Sequence, residues 1–299
     1  MIDILLFYCI LSSVFVFGKQ SVAAGSPFFL SAIRLIPAGI IFLAGSYLFD
    51  RKNFRLERSA IKPLLGLIIF VFFMDVFRLC GLSYVSASYA ALVNTLSPFI
   101  AALLAYKLSG EPLTLKKLGS IALGVIAVAP LIIQTFTTCT SCTSLELFLG
   151  YGALFISTTS VVVRTFFLKN LIDVKRYPIY FILGITFVVV GSISLCCSLA
   201  FETWNPLPVP LSPTIISLII FLLVGYSLCG QPLYAYLVKK YPITLITFFM
   251  LSTPIITAAL NWAFYGYQID TIFIFSCITL ILAFALFYHE EKKGKVIGL

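Results

Sequence analysis

Ser97-Pro98-Phe99-Ile100-Ala101-Ala102, in an apolar run that ends at Gly110, returns as Thr253-Pro254-Ile255-Ile256-Thr257-Ala258, in a run that ends at Gly266. One shift of 156 residues sets Pro98 on Pro254, Ile100 on Ile256, Ala102 on Ala258, Leu104 on Leu260 and Gly110 on Gly266. The match runs on past the loop, pairing Ser120 with Ser276, Ala127 with Ala283 and Ala129 with Ala285. Shared helix composition scatters apolar matches by chance. Proline and glycine falling into step at a single shift point instead to an internal repeat.

Working outward, both copies lie in runs long enough to cross a bilayer. A spanning helix needs about 20 mainly apolar residues. Ten segments meet this, at roughly 4–24, 28–49, 62–82, 87–107, 114–134, 147–168, 177–200, 213–237, 243–265 and 270–288. A transmembrane barrel would show alternating segments of about ten residues, whereas these runs are longer and apolar all round. The composition agrees: of 299 residues 61% are hydrophobic and 10% charged, with mean hydropathy +1.10. A soluble domain averages about a quarter charged residues, so this chain needs lipid as its solvent. The expected fold is an all-α membrane protein of ten transmembrane helices, with one five-helix repeat over 1–140 and a second over 141–299. Five is odd, so the second copy enters the bilayer upside down and the repeats are inverted. Such inverted repeats are a recurrent build of secondary transporters, with substrate held near the midplane between the halves.

The net charge of +9 is a topology signal rather than a nucleic-acid surface. No basic stripe interleaved with exposed aromatics is present. The basic residues fall in alternate connections: Arg51, Lys52, Arg55, Arg58 and Lys62; Lys107, Lys116 and Lys117; Lys169, Lys175 and Arg176; Lys239 and Lys240; and Lys292, Lys293 and Lys295 in the tail. These are all but four of the 20 Lys and Arg, and the opposite connections hold none. By the positive-inside rule both termini are expected in the cytoplasm. The first apolar run has Asp3 before it and Lys19 after it, the reverse of a signal peptide's basic start, so it is kept as the first helix. Cys9, Cys80, Cys229 and Cys277 sit in apolar runs as small hydrophobes. Cys139 and Cys142 form one CxxC with no second pair, too little for a zinc site, although a disulfide between them is open. No metal or cofactor is expected.

The stretch from Ala90 to Pro130 combines a helix of small residues, Ser97-Pro98, Gly110-Glu111 at the loop, and Gly119 and Gly124 on the next helix. In this it resembles the EamA-type branch of the drug/metabolite transporter superfamily. The resemblance implies a ten-helix, five-plus-five inverted carrier in the cell inner membrane, matching the count reached from the residues. In the second half Tyr267 follows Gly266, where the family often has Glu, which counts against a role needing an acid in both halves. Carriers of this family export amino acids or other small metabolites, and some import S-adenosylmethionine in exchange for S-adenosylhomocysteine. The resemblance leads us to expect that exchange, with metabolite export as the alternative.

Ionisable residues inside spanning helices cost about 2.5–3.5 kcal/mol each on insertion scales and default to functional candidates. Five are expected there: Lys19, Arg34, Asp75, Arg78 and Arg164. Asp75 and Arg78 are three apart and share a helix face. They are read either as a clamp, Asp75 holding a substrate amine while Arg78 or Lys19 holds a carboxylate, or as a structural ion pair. Arg164, near the inner end of its helix, is expected to snorkel to the surface. Arg34 lies deeper and is left open. Asn94 and Asn261 stand on the two repeated helices. Gln231 lies in Gly230-Gln231-Pro232, where Gly225, Gly230 and Pro232 could loosen the helix and turn carbonyls toward a cavity; interhelical hydrogen bonding is the plainer role. Trp262 could stack on a cationic substrate or anchor at the interface. Pro98 and Pro254 are the expected hinges.

No GxxxxGK[ST] loop occurs, so the chain alone cannot use ATP, and Asp75 is the obvious relay if protons are coupled. An intramembrane enzyme finds no paired carboxylates or nucleophile–base set in the helices, and the sole histidine, His289, lies at the end of the last one. A non-transporting membrane scaffold is disfavoured by the buried charges. The expected partners are a small-molecule substrate and the lipid bilayer.

Overall fold

The computed structural model describes residues 2–23, 25–49, 56–109, 115–138, 143–210, 212–241, 246 and 249–297. Cys139, Cys142, Gly110, Glu111, Arg51, Lys52 and Arg55 lie outside the described residues. The described chain is helical throughout: α1 (Ile2–Val22), α2 (Pro27–Phe49), α3 (Arg58–Tyr84), α4 (Ala87–Asn94), α5 (Ser97–Ser109), α6 (Leu115–Thr138), α7 (Ser144–Lys169), α8 (Ile179–Phe201), α9 (Pro213–Phe221), α10 (Gln231–Lys240), α11 (Ser252–Tyr265) and α12 (Thr271–Ile297). Among these residues eight helices or helix pairs are long and apolar enough to span a bilayer. α11 has 14 residues and the apolar part of α12 covers Thr271–Phe287; most of residues 242–248, the start of the expected ninth span, lie outside the described set. Lys292, Lys293 and Lys295, expected in a tail, continue the last helix.

Helix starts follow capping chemistry. Ser86 accepts from the Tyr89 amide at the head of α4, and Thr143 and Glu146 cap each other's backbone N–H groups at the head of α7. Ser212 caps α9, with Pro213 in the first turn, where its missing N–H costs nothing.

Two expected spans are interrupted. The helix expected over 87–107 breaks at Thr95 and Leu96, whose amides bond three residues back to Leu92 and Val93 at 3.1 Å. Pro98 is the cause. It has no N–H to offer the Asn94 carbonyl, and the Ser97 hydroxyl donates to that carbonyl instead. A like turn at Met250 and Leu251 precedes Thr253-Pro254, and the Thr253 amide bonds Met250 at 3.0 Å. The span expected over 213–237 holds a π-helical stretch, Leu222–Gly230, between α9 and α10. There the Gln231 amide bonds five residues back to Tyr226, just ahead of Pro232. The sequence expectation of a loosened helix at Gly225-to-Pro232 takes this form.

The most extensive packings join α2 to α8, α3 to α7 and α6 to α12; α4 and α1 both pack on α11. Close approach comes from small residues, as in other membrane bundles. A Cβ on Gly39 of α2 would stand 2.7 Å from the Val188 backbone nitrogen of α8. Gly124 on α6 lies against the Phe99 ring, where a Cβ would come within 2.5 Å. Lipid-type side chains cover the outside; Leu48, Phe49, Leu115 and Phe201 are exposed.

Candidate functional site

A cavity opens between α1, α3, α4, α5, α7, the π-helical stretch and α10. It runs from Arg78, Asn94 and Tyr226 at mid-depth to Val238 and Ile246, near the end where Lys239 and Lys240 lie. Its wall is mostly apolar and aromatic, with Phe7, Tyr8, Phe166, Tyr226 and Tyr234, and it presents two guanidiniums, Arg78 and Arg164, and no carboxylate among the described residues.

Behind Arg78, away from the cavity, lies a buried charge cluster. Asp75 is 1% exposed. Its carboxylate takes Arg34 on both oxygens, Arg78 Nη2 at 2.7 Å on Oδ1 and the Ser31 hydroxyl at 2.6 Å on Oδ2. Arg78 Nη1 donates to the Tyr226 hydroxyl at 3.1 Å. The Arg78 and Arg34 guanidinium carbons lie 5.0 and 5.7 Å from the Tyr226 ring centre, in cation–π range. Two arginines share one acid, so the cluster keeps a net positive charge. Of the two readings of this pair, the ion pair is formed: Asp75 has its oxygens occupied by protein donors and does not line the cavity, while Arg78 does.

Arg164 corrects the sequence expectation. It is 3% exposed and turns into the bundle rather than to the surface. Nη1 donates to Gln231 Oε1 at 2.9 Å, and the guanidinium lies 4.9 Å over the Tyr234 ring, whose hydroxyl meets Thr165 Oγ1 at 2.7 Å. Among the described residues no carboxylate pairs with it. Gln231 makes an interhelical hydrogen bond, accepting from Arg164 of α7, and that bond orients Arg164.

The other expected residues divide. Asn94 lines the cavity. Asn261 is buried but borders a second, more open cavity with Ser86, Tyr89, Gln268 and Asp270, where the Tyr89 hydroxyl donates to Asp270 at 2.8 Å. Trp262 is 63% exposed and lines neither cavity. Lys19 Nζ donates to the Ser83 carbonyl at 3.2 Å, at the C-terminal end of α3, where a cation meets the helix dipole; it does not line the main cavity. Tyr8, Tyr226 and Tyr234 were not singled out from sequence. For Tyr226 the adjacent Gly225 was the available signal.

With this geometry in hand, comparison with known proteins is informative. A model of the EamA-like transporter family matches residues 1–133. An S-adenosylmethionine/S-adenosylhomocysteine transporter of Chlamydia muridarum is 30% identical over 290 residues, covering 96% of this chain and 91% of the relative. Proteins of the same name from Chlamydia trachomatis serovars L2 and D are each 28% identical over 291 residues, covering 96% of this chain and 88% of theirs. A solved crystal structure superposes with TM-score 0.68 at 18% identity, covering 95% of both chains, and shares the fold.

Proposed function

This chain belongs to the EamA-like transporter family and is a multi-pass membrane carrier of a small metabolite, and from that premise we propose that it exchanges S-adenosylmethionine for S-adenosylhomocysteine by alternating access. The likeness to transporters of that name over 96% of the chain carries the reading. The cavity supports it. Aromatic side chains such as Phe7 and Tyr8 suit an adenine face by stacking, and arginines suit a carboxylate. In this reading Arg78 and Asn94 touch substrate, Gln231 orients a neighbour, and Asp75 holds Arg34 and Arg78 in place.

The same reading takes α11 and α12 as the ninth and tenth spans, with inverted halves over 1–140 and 141–299. The packing favours this. α2 with α8 and α6 with α12 are pairs that the repeat makes equivalent, and equivalents meet where a two-fold axis passes. The matching interruptions before Pro98 and Pro254 favour it too, and make these prolines the hinges about which the halves rock. Alternate basic connections fit an inner-membrane carrier with both termini in the cytoplasm. Titrating purified protein with S-adenosylmethionine, S-adenosylhomocysteine and free amino acids tests the substrate. We expect saturable binding of both adenosyl compounds; binding of amino acids alone would replace exchange with amino-acid export.

A further inference from the structure

Among the described residues, one cation of the cavity has no counter-charge. Arg34 and Arg78 are tied to Asp75, and Arg78 is tied again to Tyr226. Among the described residues Arg164 has only neutral partners, the Gln231 amide oxygen and the Tyr234 ring, and its buried Nε lacks a hydrogen-bond partner. It stands on the cavity wall, 97% buried. A guanidinium kept in a membrane interior without a counter-charge destabilises the fold unless an anion arrives. Gln231 and Tyr234 hold the fork in one orientation, which pre-organises it for a planar two-oxygen partner.

We infer that Arg164, oriented by Gln231 and Tyr234, receives the substrate's carboxylate and makes the carrier select carboxylate-bearing molecules over their decarboxylated counterparts. This rests on the reading of the chain as a carrier whose substrate enters this cavity, and it assigns to Arg164 the carboxylate expected from sequence at Arg78 or Lys19. The remainder of the substrate then lies along the tyrosines toward Arg78.

The test compares matched pairs: S-adenosylmethionine with its decarboxylated form, S-adenosylhomocysteine with its decarboxylated form, and methionine with 3-methylthiopropylamine. Binding is read by the ligand-induced rise in melting temperature of detergent-purified protein, in buffer free of small carboxylates. Wild type should prefer at least one carboxylate form about tenfold or more, a difference of about 1.4 kcal/mol. R164Q should lose that preference while its ligand-free melting temperature is equal or higher, since an unanswered charge has been removed; a merely structural arginine would lower it. R164K should keep part of the preference, and Q231L, which frees Arg164 to reorient, should weaken it even if R164Q fails to fold. Unchanged preference in R164Q, or no preference for any carboxylate in wild type, overturns the inference. So does a decarboxylated compound that binds as tightly once acetate is added, which would put a free anion there. If wild type ignores both adenosyl compounds but prefers methionine through Arg164, the inference stands and the exchange reading fails.

Discussion

Arg78 of α3 donates to the Tyr226 hydroxyl at 3.1 Å, joining the first half of the chain to the π-helical stretch of the second at the inner end of a buried charge cluster. The wide turns of that stretch come from a local conflict in sequence, Gly225 and Gly230 followed by Pro232, and such π turns recur at functional sites. Tyr226→Phe keeps the ring over both arginines and removes one hydrogen bond to a charged group, about 1.5–3 kcal/mol. A lowered melting temperature with residual binding is expected in detergent; Tyr226→Leu, which also removes the cation–π contacts, should lose more of both.

Asp75→Asn strips the counter-charge from two buried arginines. Breaking a buried ion pair on one side costs on the order of 3–5 kcal/mol, so the main effect should be a loss of folded protein, seen as aggregation in size-exclusion chromatography. Removing an arginine as well, in D75N/R34Q, should recover folded protein. A fully folded D75N with abolished binding would instead return Asp75 to direct substrate contact.

Pro98→Ala restores an N–H that competes with the Ser97 hydroxyl for the Asn94 carbonyl, and should draw α4 and α5 toward one continuous helix. If the break serves as a hinge, uptake rate falls several-fold while the binding constant changes little. Pro254→Ala should act in the same direction. A proportional loss of affinity and rate would show that the prolines shape the cavity rather than move it.

Gly39→Val tests the crossing of α2 on α8. A Cβ there would stand 2.7 Å from the Val188 backbone nitrogen, and backbone cannot swing aside as a side chain can. A loss of about 1–3 kcal/mol, as for overpacked cores, should appear as a lower melting temperature; Gly45→Val, at a position with nothing within 4 Å, should leave it unchanged.

These outcomes separate what was legible in the sequence from what was not. Span length and hydropathy are one-dimensional constraints imposed by the bilayer, so the apolar runs and their alternating basic connections could be read directly. The pairing of Asp75 with Arg78 was legible for a similar reason, because three residues on one helix fixes proximity. Arg34 joins them from another helix, and no spacing rule reaches across helices. Arg164 was misread because depth alone suggested the surface, whereas Ser157, Ser160 and Thr165 on the same helix are buried with it, and its partners Gln231 and Tyr234 lie on α10 and turn it inward. Sequence left Trp262 between substrate contact and interfacial anchoring, because hydropathy does not tell which side of a membrane helix faces lipid; it is exposed and lines neither cavity.

The most direct measurement is counterflow in reconstituted vesicles: the time course of labelled S-adenosylmethionine entering vesicles preloaded with unlabelled S-adenosylhomocysteine. Exchange through the protein predicts a transient accumulation above the external concentration, absent from empty vesicles and from vesicles without protein. Equal, non-accumulating uptake in loaded and empty vesicles would contradict it.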